Sequence, residues 1–361
     1  MSIRLHNAAP EAHVGYSLFV TGVTHHDPAR SFQGFTLFTP MSGDRTYLID
    51  MQGQTVHEWL TPEGTRAYYA TGLPNGNLFA QCSDGTEAGG AAGGRAARAV
   101  ELGWDGEVVW EYRNPRLHHD HVRRDNGNTL LIEAEPLDAA LSKKIAGGDP
   151  ETANGEILSE AIIEVTTAGE VIWRWHAHEH LNPEVERFRM GHGDQWLHAN
   201  AVEELADGRI MVSFNTISEI VIIDRASGEV TWRLKPGITM SQHNPTLLPN
   251  GNILFFDNGN GRNYSRVAEL KLDDQEIAWE YRGNPRDAFY SMNISGAQRL
   301  PNGNTLITEG RSARFFEVTP GKDIVWEYVS PHTVLHMGQE SRAVFRAHRY
   351  AADSGFIRGR A

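Results

Sequence analysis

Apolar residues along this chain fall in short runs set off by polar turns. Asn128-Thr-Leu-Leu-Ile, Ile210-Met-Val-Ser-Phe and Ile253-Leu-Phe-Phe each follow such a turn and read as single strands. The turn itself repeats. Leu73-Pro-Asn-Gly-Asn77 returns as Leu248-Pro-Asn-Gly-Asn252 and Leu300-Pro-Asn-Gly-Asn304, with looser copies at Arg124-Asp-Asn-Gly-Asn128 and Leu205-Ala-Asp-Gly-Arg209. Asn-Gly and Asp-Gly accept positive φ at little cost, so each predicts a tight turn between antiparallel strands.

A second pattern interleaves with the first. "MQGQTVHEW", "WDGEVVWEY", "TTAGEVIWRW", "RASGEVTWRL", "DDQEIAWEY" and "PGKDIVWEY" each join an acidic or Gly turn to an alternating strand that carries a tryptophan. Those are Trp59, Trp110, Trp173, Trp232, Trp279 and Trp326, at intervals of 51, 63, 59, 47 and 47 residues. One unit thus reads strand A, Asn-Gly turn, strand B, loop, strand C, Gly turn, Trp-bearing strand D. Four antiparallel strands at this period predict an all-β fold, a six-bladed β-propeller of four-stranded blades.

The first unit lacks the Asn-Gly hairpin. "RAVFRAHRY", residues 342–350, is expected to close the ring by supplying its missing strand, with a strand within 13–21 as the alternative. Residues 1–361 then form a single propeller domain, with 1–33 as a lead-in.

In such a ring strand A lines the channel, the A-to-B turns lie on one face, and the B-to-C and D-to-A connections emerge on the other. The Asn-Gly turns are minimal. The insertions 82–98, 133–159 and 176–197 therefore crowd the opposite rim, the presumed active face. A short helix is expected at 136–145.

Counting eight residues back from each turn glycine gives Tyr68, His119, Asn200, His243 and Ser295, with His198 two before Asn200. Strict alternation places His119, His121, His198 and His243 on one side of three inner strands. A single histidine there would read as core; three at matching positions read as a site. Neighbouring and equivalent residues Asn200, Asn244, His121 and Ser295 are expected to contact substrate. Arg262, just beyond strand B of the His243 unit, is expected to clamp a sulfate, phosphate or carboxylate, with Arg266 close by.

Two chemistries fit convergent imidazoles. His119, His198 and His243 could ligate a transition metal with an open position, giving a metal-dependent lyase, hydrolase or oxidase. Alternatively, His acts as nucleophile or general acid–base beside other cations. No cofactor is certain beyond that possible metal. "HAHEH" (His176, His178, His180) has metal-like spacing but falls in a loop after a Trp strand, and reads as rim surface. His25 and His26 precede the first unit and could reach the rim; His348 on the closing strand could face the channel.

Charge and composition narrow the partners. A formal charge of −13 with no basic stripe argues against a nucleic-acid or anionic-membrane surface; a small-molecule substrate is expected, with a non-enzymatic scaffold that binds a partner as the last-ranked alternative. The start, "MSIRLHNAAPEAHVGY", holds no apolar core of signal-peptide length, and no run approaches a membrane span. One cysteine, Cys82, excludes an intramolecular disulfide framework and reads as a packing residue. The cytoplasm is the expected compartment.

"WLHANAVEELADGRI", "SQHNPTLLPNGNILFFDNGNGRNYSRVAEL", "SGAQRLPNGNTLITEG", the "IVWEY" repeats and "VFRAHRY" together resemble the arylsulfotransferase (aryl-sulfate sulfotransferase, propeller-type) family, from about residue 34 to 350 and most strongly over 196–350. The resemblance implies a six-bladed propeller that moves a sulfuryl group between phenols without a nucleotide donor, through a sulfohistidine in the periplasmic branch. By motif, His198, His243 and Arg262 would bind and polarise the sulfate. The family's nucleophilic histidine belongs to a later inner strand, and the corresponding segment here, Ser291-Met-Asn-Ile-Ser-Gly-Ala-Gln298, contains no His. His119 and His121 would replace it from another unit or complete a metal site.

Overall fold

The computed structural model describes residues 20–86, 94–145, 157–186, 195–336 and 338–361. After β1 (Gly22–His26), strands β2 (Phe35–Pro40), β3 (Arg45–Ile49) and β4 (Thr55–Leu60) form one sheet with the C-terminal strand. A seven-stranded sheet follows: β5 (Arg66–Gly72), β6 (Leu78–Ser83), β7 (Arg95–Leu102), β8 (Val108–Arg123), β9 (Thr129–Pro136), β10 (Leu158–Val165) and β11 (Val171–His176). It is interrupted by α1 (Ala139–Ser142) and followed by α2 (Ala177–His180).

Two four-stranded sheets come next. The first holds β12 (Ala199–Glu204), β13 (Ile210–Phe214), β14 (Glu219–Ile223) and β15 (Val230–Arg233); the second holds β16 (His243–Leu247), β17 (Ile253–Asp257), β18 (Arg266–Leu270) and β19 (Ile277–Arg282). The last sheet is β20 (Gly296–Arg299), β21 (Thr305–Glu309), β22 (Arg314–Val318) and β23 (Ile324–Val329), with β1 added at its edge. A hairpin, β24 (Val334–His336) and β25 (Gln339–Ser341), leads into β26 (Val344–Tyr350).

The fold is an all-β propeller, closed as expected: β26 pairs antiparallel with β2 and sits innermost in the first sheet. The expectation of six separate four-stranded sheets is corrected. Among the described residues, hydrogen bonding gives three sheets of four strands, one of five, one of seven and the two-stranded hairpin of residues 334–336 and 339–341. β8 runs unbroken for 16 residues, so strand D of the second repeat continues as strand A of the third. β1 pairs with the outer strand β23, which moves His25 and His26 to that outer edge, opposite Glu327 and Trp326, and away from the rim. The helix expected over 136–145 is the single turn α1, its N-terminus capped by the Asp138 carboxylate on the Ala140 and Leu141 amides.

The repeats have a physical reason. Each turn glycine has positive φ, from 84° to 89°. The asparagine after it donates to a Glu on strand C: Asn77 to Glu101, Asn128 to Glu164, Asn252 to Glu269 and Asn304 to Glu317, at 2.6–2.7 Å. Each tryptophan indole donates to a carbonyl in the C–D turn of the next repeat. Trp59 reaches Gly103, Trp110 Thr167, Trp173 Arg225, Trp232 Leu272, Trp279 Pro320, and Trp326 returns to Met51. The tryptophan spacing in the sequence is therefore the register of a closed hydrogen-bonded ring.

Alternate residues of each strand enter opposite interfaces. Phe255 lies in the cluster with Met211 and Ile222, whereas Phe256 lies with Ile307 and Phe316. The core is thus a circle of apolar clusters between successive repeats, with a further one, Tyr68, Tyr69, Ile294, Ala343 and Phe345, on the axis. Cys82 is buried in one such interface. Among the described residues, no helix is long and apolar enough to cross a membrane.

Candidate active site on the propeller axis

Strict alternation does not survive at the channel. Inner strands break register between Ala67 and Tyr69, His118 and His121, Ala199 and Ala201, and His243 and Thr246. In these four strands the break falls at the position eight residues before the turn glycine, or beside it. A bulged residue leaves the ladder, and its side chain is re-aimed. His119, His198, Asn244 and Ser295 have φ of 58°, 51°, 50° and 88°. The period-two count that put His119 and His121 on one side is therefore corrected.

The bulges build two layers. In the upper layer the rings of His119 and His198 meet edge-to-face, centroids 4.5 Å apart. Phe345 lies 5.8 Å from His119 and 6.2 Å from His243, and Tyr68 closes the other flank 5.8 Å from His119. His119, His243, Phe345 and Tyr68 are all buried. Gly94 at φ 84° accepts the His119 amide at 2.7 Å; a Cβ there would lie 2.5 Å from His119 Nε2. The site needs that glycine.

Hydrogen bonds orient each imidazole. Asn258 donates its amide to the Ser291 and Ile294 carbonyls, so its Oδ1 faces His243 Nδ1, 2.7 Å away, and accepts. His243 then carries its proton on Nδ1 and a lone pair on Nε2. His118 Nε2 lies 2.6 Å from the Glu160 carboxylate and donates to it. His118 Nδ1 lies 2.8 Å from His119 Nδ1; in the tautomer in which His118 accepts this bond, the lone pair is left on His119 Nε2. His198 Nδ1 is held by Gln195 Oε1.

Burial, then the neighbouring His198, His118, His243 and Arg346, hold the His119 pKa well below that of ordinary imidazole. Burial lowers His243 to about 4, against the opposing bond to Asn258. Both are neutral at pH 7.

The lower layer is centred on buried Arg346. It donates to Asp120 Oδ2 at 2.9 Å and to the Asn200 carbonyl at 2.8 Å, and lies over the Phe345 and Tyr69 rings. His121 belongs here, bonded to Thr71 at 2.8 Å and packed on Phe79 at 4.4 Å. His348 faces the channel and meets the Tyr69 hydroxyl at 2.6 Å; burial, then Arg346, push it down to about 3. A cleft of about 490 Å³ opens on the Asn-Gly face between β16 and β20, with Thr246, Gln298 and His348 among its walls.

Of the residues singled out by sequence, His119, His198 and His243 come together around the axial aromatics. The others have structural partners. Asn200 donates to the Gln242 carbonyl; Asn244 accepts the Ala297 amide; Ser295 accepts the Gly310 amide. Arg262 pairs with Asp257 at 2.8 Å and covers Tyr264, and Asp257 also holds Arg266. Sequence reasoning missed Arg346, Phe345, His118, Asn258 and Glu160. Arg346 had a signal, a charged residue amid the closing inner strand; Glu160, on β10, had none.

Among the described residues, the set of three His, Cys, Asp or Glu ligand atoms within 4.8 Å of one another is Glu135, His176 and His178, on the rim. The axial trio is not such a set.

The fold places the chain in the class of all-β propellers, here with buried imidazoles and an arginine brought together at the inner strands. The chain belongs to the arylsulfotransferase family, whose model, Arylsulfotransferase (ASST), matches residues 22–237 and 235–343. Arylsulfate sulfotransferase AssT of Escherichia coli O6:H1 (strain CFT073) is 21% identical over 341 residues, covering 78% of this chain and 51% of that protein. The chain thus spans about half the length of this curated relative. Among solved structures, a protein of unknown function from Bacteroides caccae superposes with TM-score 0.57 at 14% identity, over 88% of this chain and 99% of that one. A streptogramin B lyase does so with TM-score 0.50 at 14% identity, over 91% and 93%. At such identity the likeness is one of fold alone.

Proposed function

We propose that this chain is a transferase of arylsulfotransferase type that moves a sulfuryl group from a small aryl sulfate to a second phenol at the axial site. Family membership supports the reaction class, and His119 carries the assignment to this site. Its ring is neutral, buried and edge-on to His198, and the Glu160–His118 pair orients it with Nε2 as the nucleophilic nitrogen.

An anionic donor entering among the imidazoles raises their pKa, so binding draws a proton onto His198. Nε2 of His119 then attacks sulfur. The N–S bond forms, the S–O bond to the aryl group breaks, and His198 protonates the departing phenoxide. In the second half the acceptor phenol returns its proton to His198, its oxygen bonds to sulfur, and the N–S bond breaks. Arg346, already paired with Asp120, supplies fixed positive potential beneath. A single cysteine, buried, supports the cytoplasm as the compartment.

The test is turnover of 4-nitrophenyl sulfate with phenol as acceptor, with acid-labile sulfuryl on the quenched protein read by intact mass. Wild type should transfer and accumulate the adduct; His119→Ala should do neither. Transfer at wild-type rate by His119→Ala would remove His119 from the role.

A further inference from the structure

The geometry points to a divalent transition-metal site on the rim, formed by Glu135, His176 and His178 and separate from the axial imidazoles. The "HAHEH" stretch, legible in the sequence as metal-like spacing, finds its third ligand on a strand some forty residues earlier.

The three residues come from three elements. Glu135 is near the end of β9, His176 ends β11, and His178 lies in α2. β10 separates β9 from β11, and on it Ser159 pairs with Glu135 while Ala161 pairs with His176. Those small side chains leave room for a Glu and a His to meet across the middle strand. The neighbouring carboxylate, Glu133, is taken by Arg174 at 3.1 Å and Asn114 at 3.1 Å, and His180 turns away to stack on Trp175. Glu135 is left to the two histidines.

Both histidines present Nδ1. That of His176 lies 2.8 and 2.9 Å from the two Glu135 oxygens, and that of His178 lies 3.3 Å from Oε2. Nδ1 of His178 is buried without a hydrogen-bond partner, as a ligand atom awaiting a metal would be. Tetrahedral ligands at about 2.0–2.1 Å from zinc are roughly 3.3 Å apart, which matches these separations with sub-ångström adjustment. Two imidazoles and one carboxylate suit zinc and its first-row neighbours rather than calcium or magnesium, and leave a position for water. The buried Ser159 hydroxyl, cross-strand from Glu135 and lacking a hydrogen-bond partner, can hold that water. Bound there, a metal would tie the end of β9 to the start of the connection after β11.

The experiment is zinc titration by calorimetry of untagged full-length protein stripped with chelator, and cobalt(II) loading followed by visible absorption. Wild type should bind one equivalent at micromolar affinity or better, with ligand-field bands of a low-coordinate cobalt site. Glu135→Gln and His178→Ala should each weaken binding by about tenfold or more. His178→Gln serves if the alanine variant melts below the wild-type apoprotein. His243→Ala should bind as wild type does. Failure of wild type to bind below about 100 μM, undiminished binding in the rim variants, or loss in His243→Ala alone would each overturn the site.

Discussion

The Nδ1 atoms of His118 and His119 lie 2.8 Å apart, although the two residues are consecutive on one strand. Consecutive side chains of a regular strand point to opposite faces. Here the φ of 58° at His119 and the register break that follows turn both rings to one side, and Glu160 fixes the far nitrogen of His118. If this chain of bonds sets the tautomer of a nucleophile, Glu160→Gln should lower kcat by about 10² or more with little change in KM. His118→Ala should do at least as much harm. Steady-state kinetics with an aryl sulfate decide it, and an unchanged kcat in Glu160→Gln removes the relay from the mechanism.

Arg346 and Asp120 form a buried pair that spans β26 and β8. Removing one partner strands the other charge away from water, a loss of about 3–5 kcal/mol. Arg346→Met should therefore lower the urea midpoint strongly. Adding Asp120→Asn should restore part of it, because the buried charge is gone. A double variant no more stable than Arg346→Met alone contradicts this account.

The indole of Trp326 donates to the Met51 carbonyl and closes the ring of tryptophan bonds, and Arg349 stacks on its face at 4.4 Å. Trp326→Phe leaves that carbonyl without its donor and reduces packing at a fully buried position. We expect a loss of about 2–4 kcal/mol. The same change at Trp110, whose bond is exposed, should cost about 1 kcal/mol or less. Chemical denaturation of the two variants side by side tests the ordering.

His119, His121, His243 and His348 are all held below the ordinary imidazole range by burial first and by neighbouring positive charge. In the unfolded chain they take up protons near pH 6.5, but in the native fold they do not until far lower pH. Below 6.5 the unfolded state therefore binds more protons, and stability falls with falling pH. The window for His243 runs from 6.5 down to about 4, and for His348 down to about 3. Each contributes about 1.4 kcal/mol per pH unit inside its window. Thermal melts from pH 7.5 to 5 should show a steepening loss that His243→Asn and His348→Asn each reduce. A melting temperature flat down to pH 5 excludes the buried neutral histidines.

A substrate anion acts against the same burial. Binding of an unreactive aryl sulfonate at pH 7 should take up close to one proton, seen as a buffer-dependent heat in calorimetry. No dependence on buffer ionisation enthalpy would mean that no imidazole charges on binding.

Local chemistry made much of the fold legible. Asn-Gly turns need positive φ, and Leu-Pro-Asn-Gly-Asn supplies it along with an asparagine that reaches a Glu on strand C. The tryptophans mark one register from repeat to repeat because each bonds the next. The closing strand was recognisable in 342–350 because its composition is that of an inner strand. These are short-range or strictly periodic features, and a periodic requirement leaves a periodic trace in sequence.

Only the tertiary structure decided what faces what. Alternation breaks at the channel, where β-bulges bring His119 beside His198 and send His121 down to Thr71 and Phe79. Ion pairing claims Arg262 for Asp257, whereas Arg346, 226 residues from Asp120, becomes the cation under the imidazoles. Glu160 and Glu135 acquire their histidines across strands, through pairings that no single sequence states. The physical reason is that a turn is settled by a few adjacent residues, whereas the aim of a side chain at the axis is settled by backbone strain and partners supplied by the whole ring.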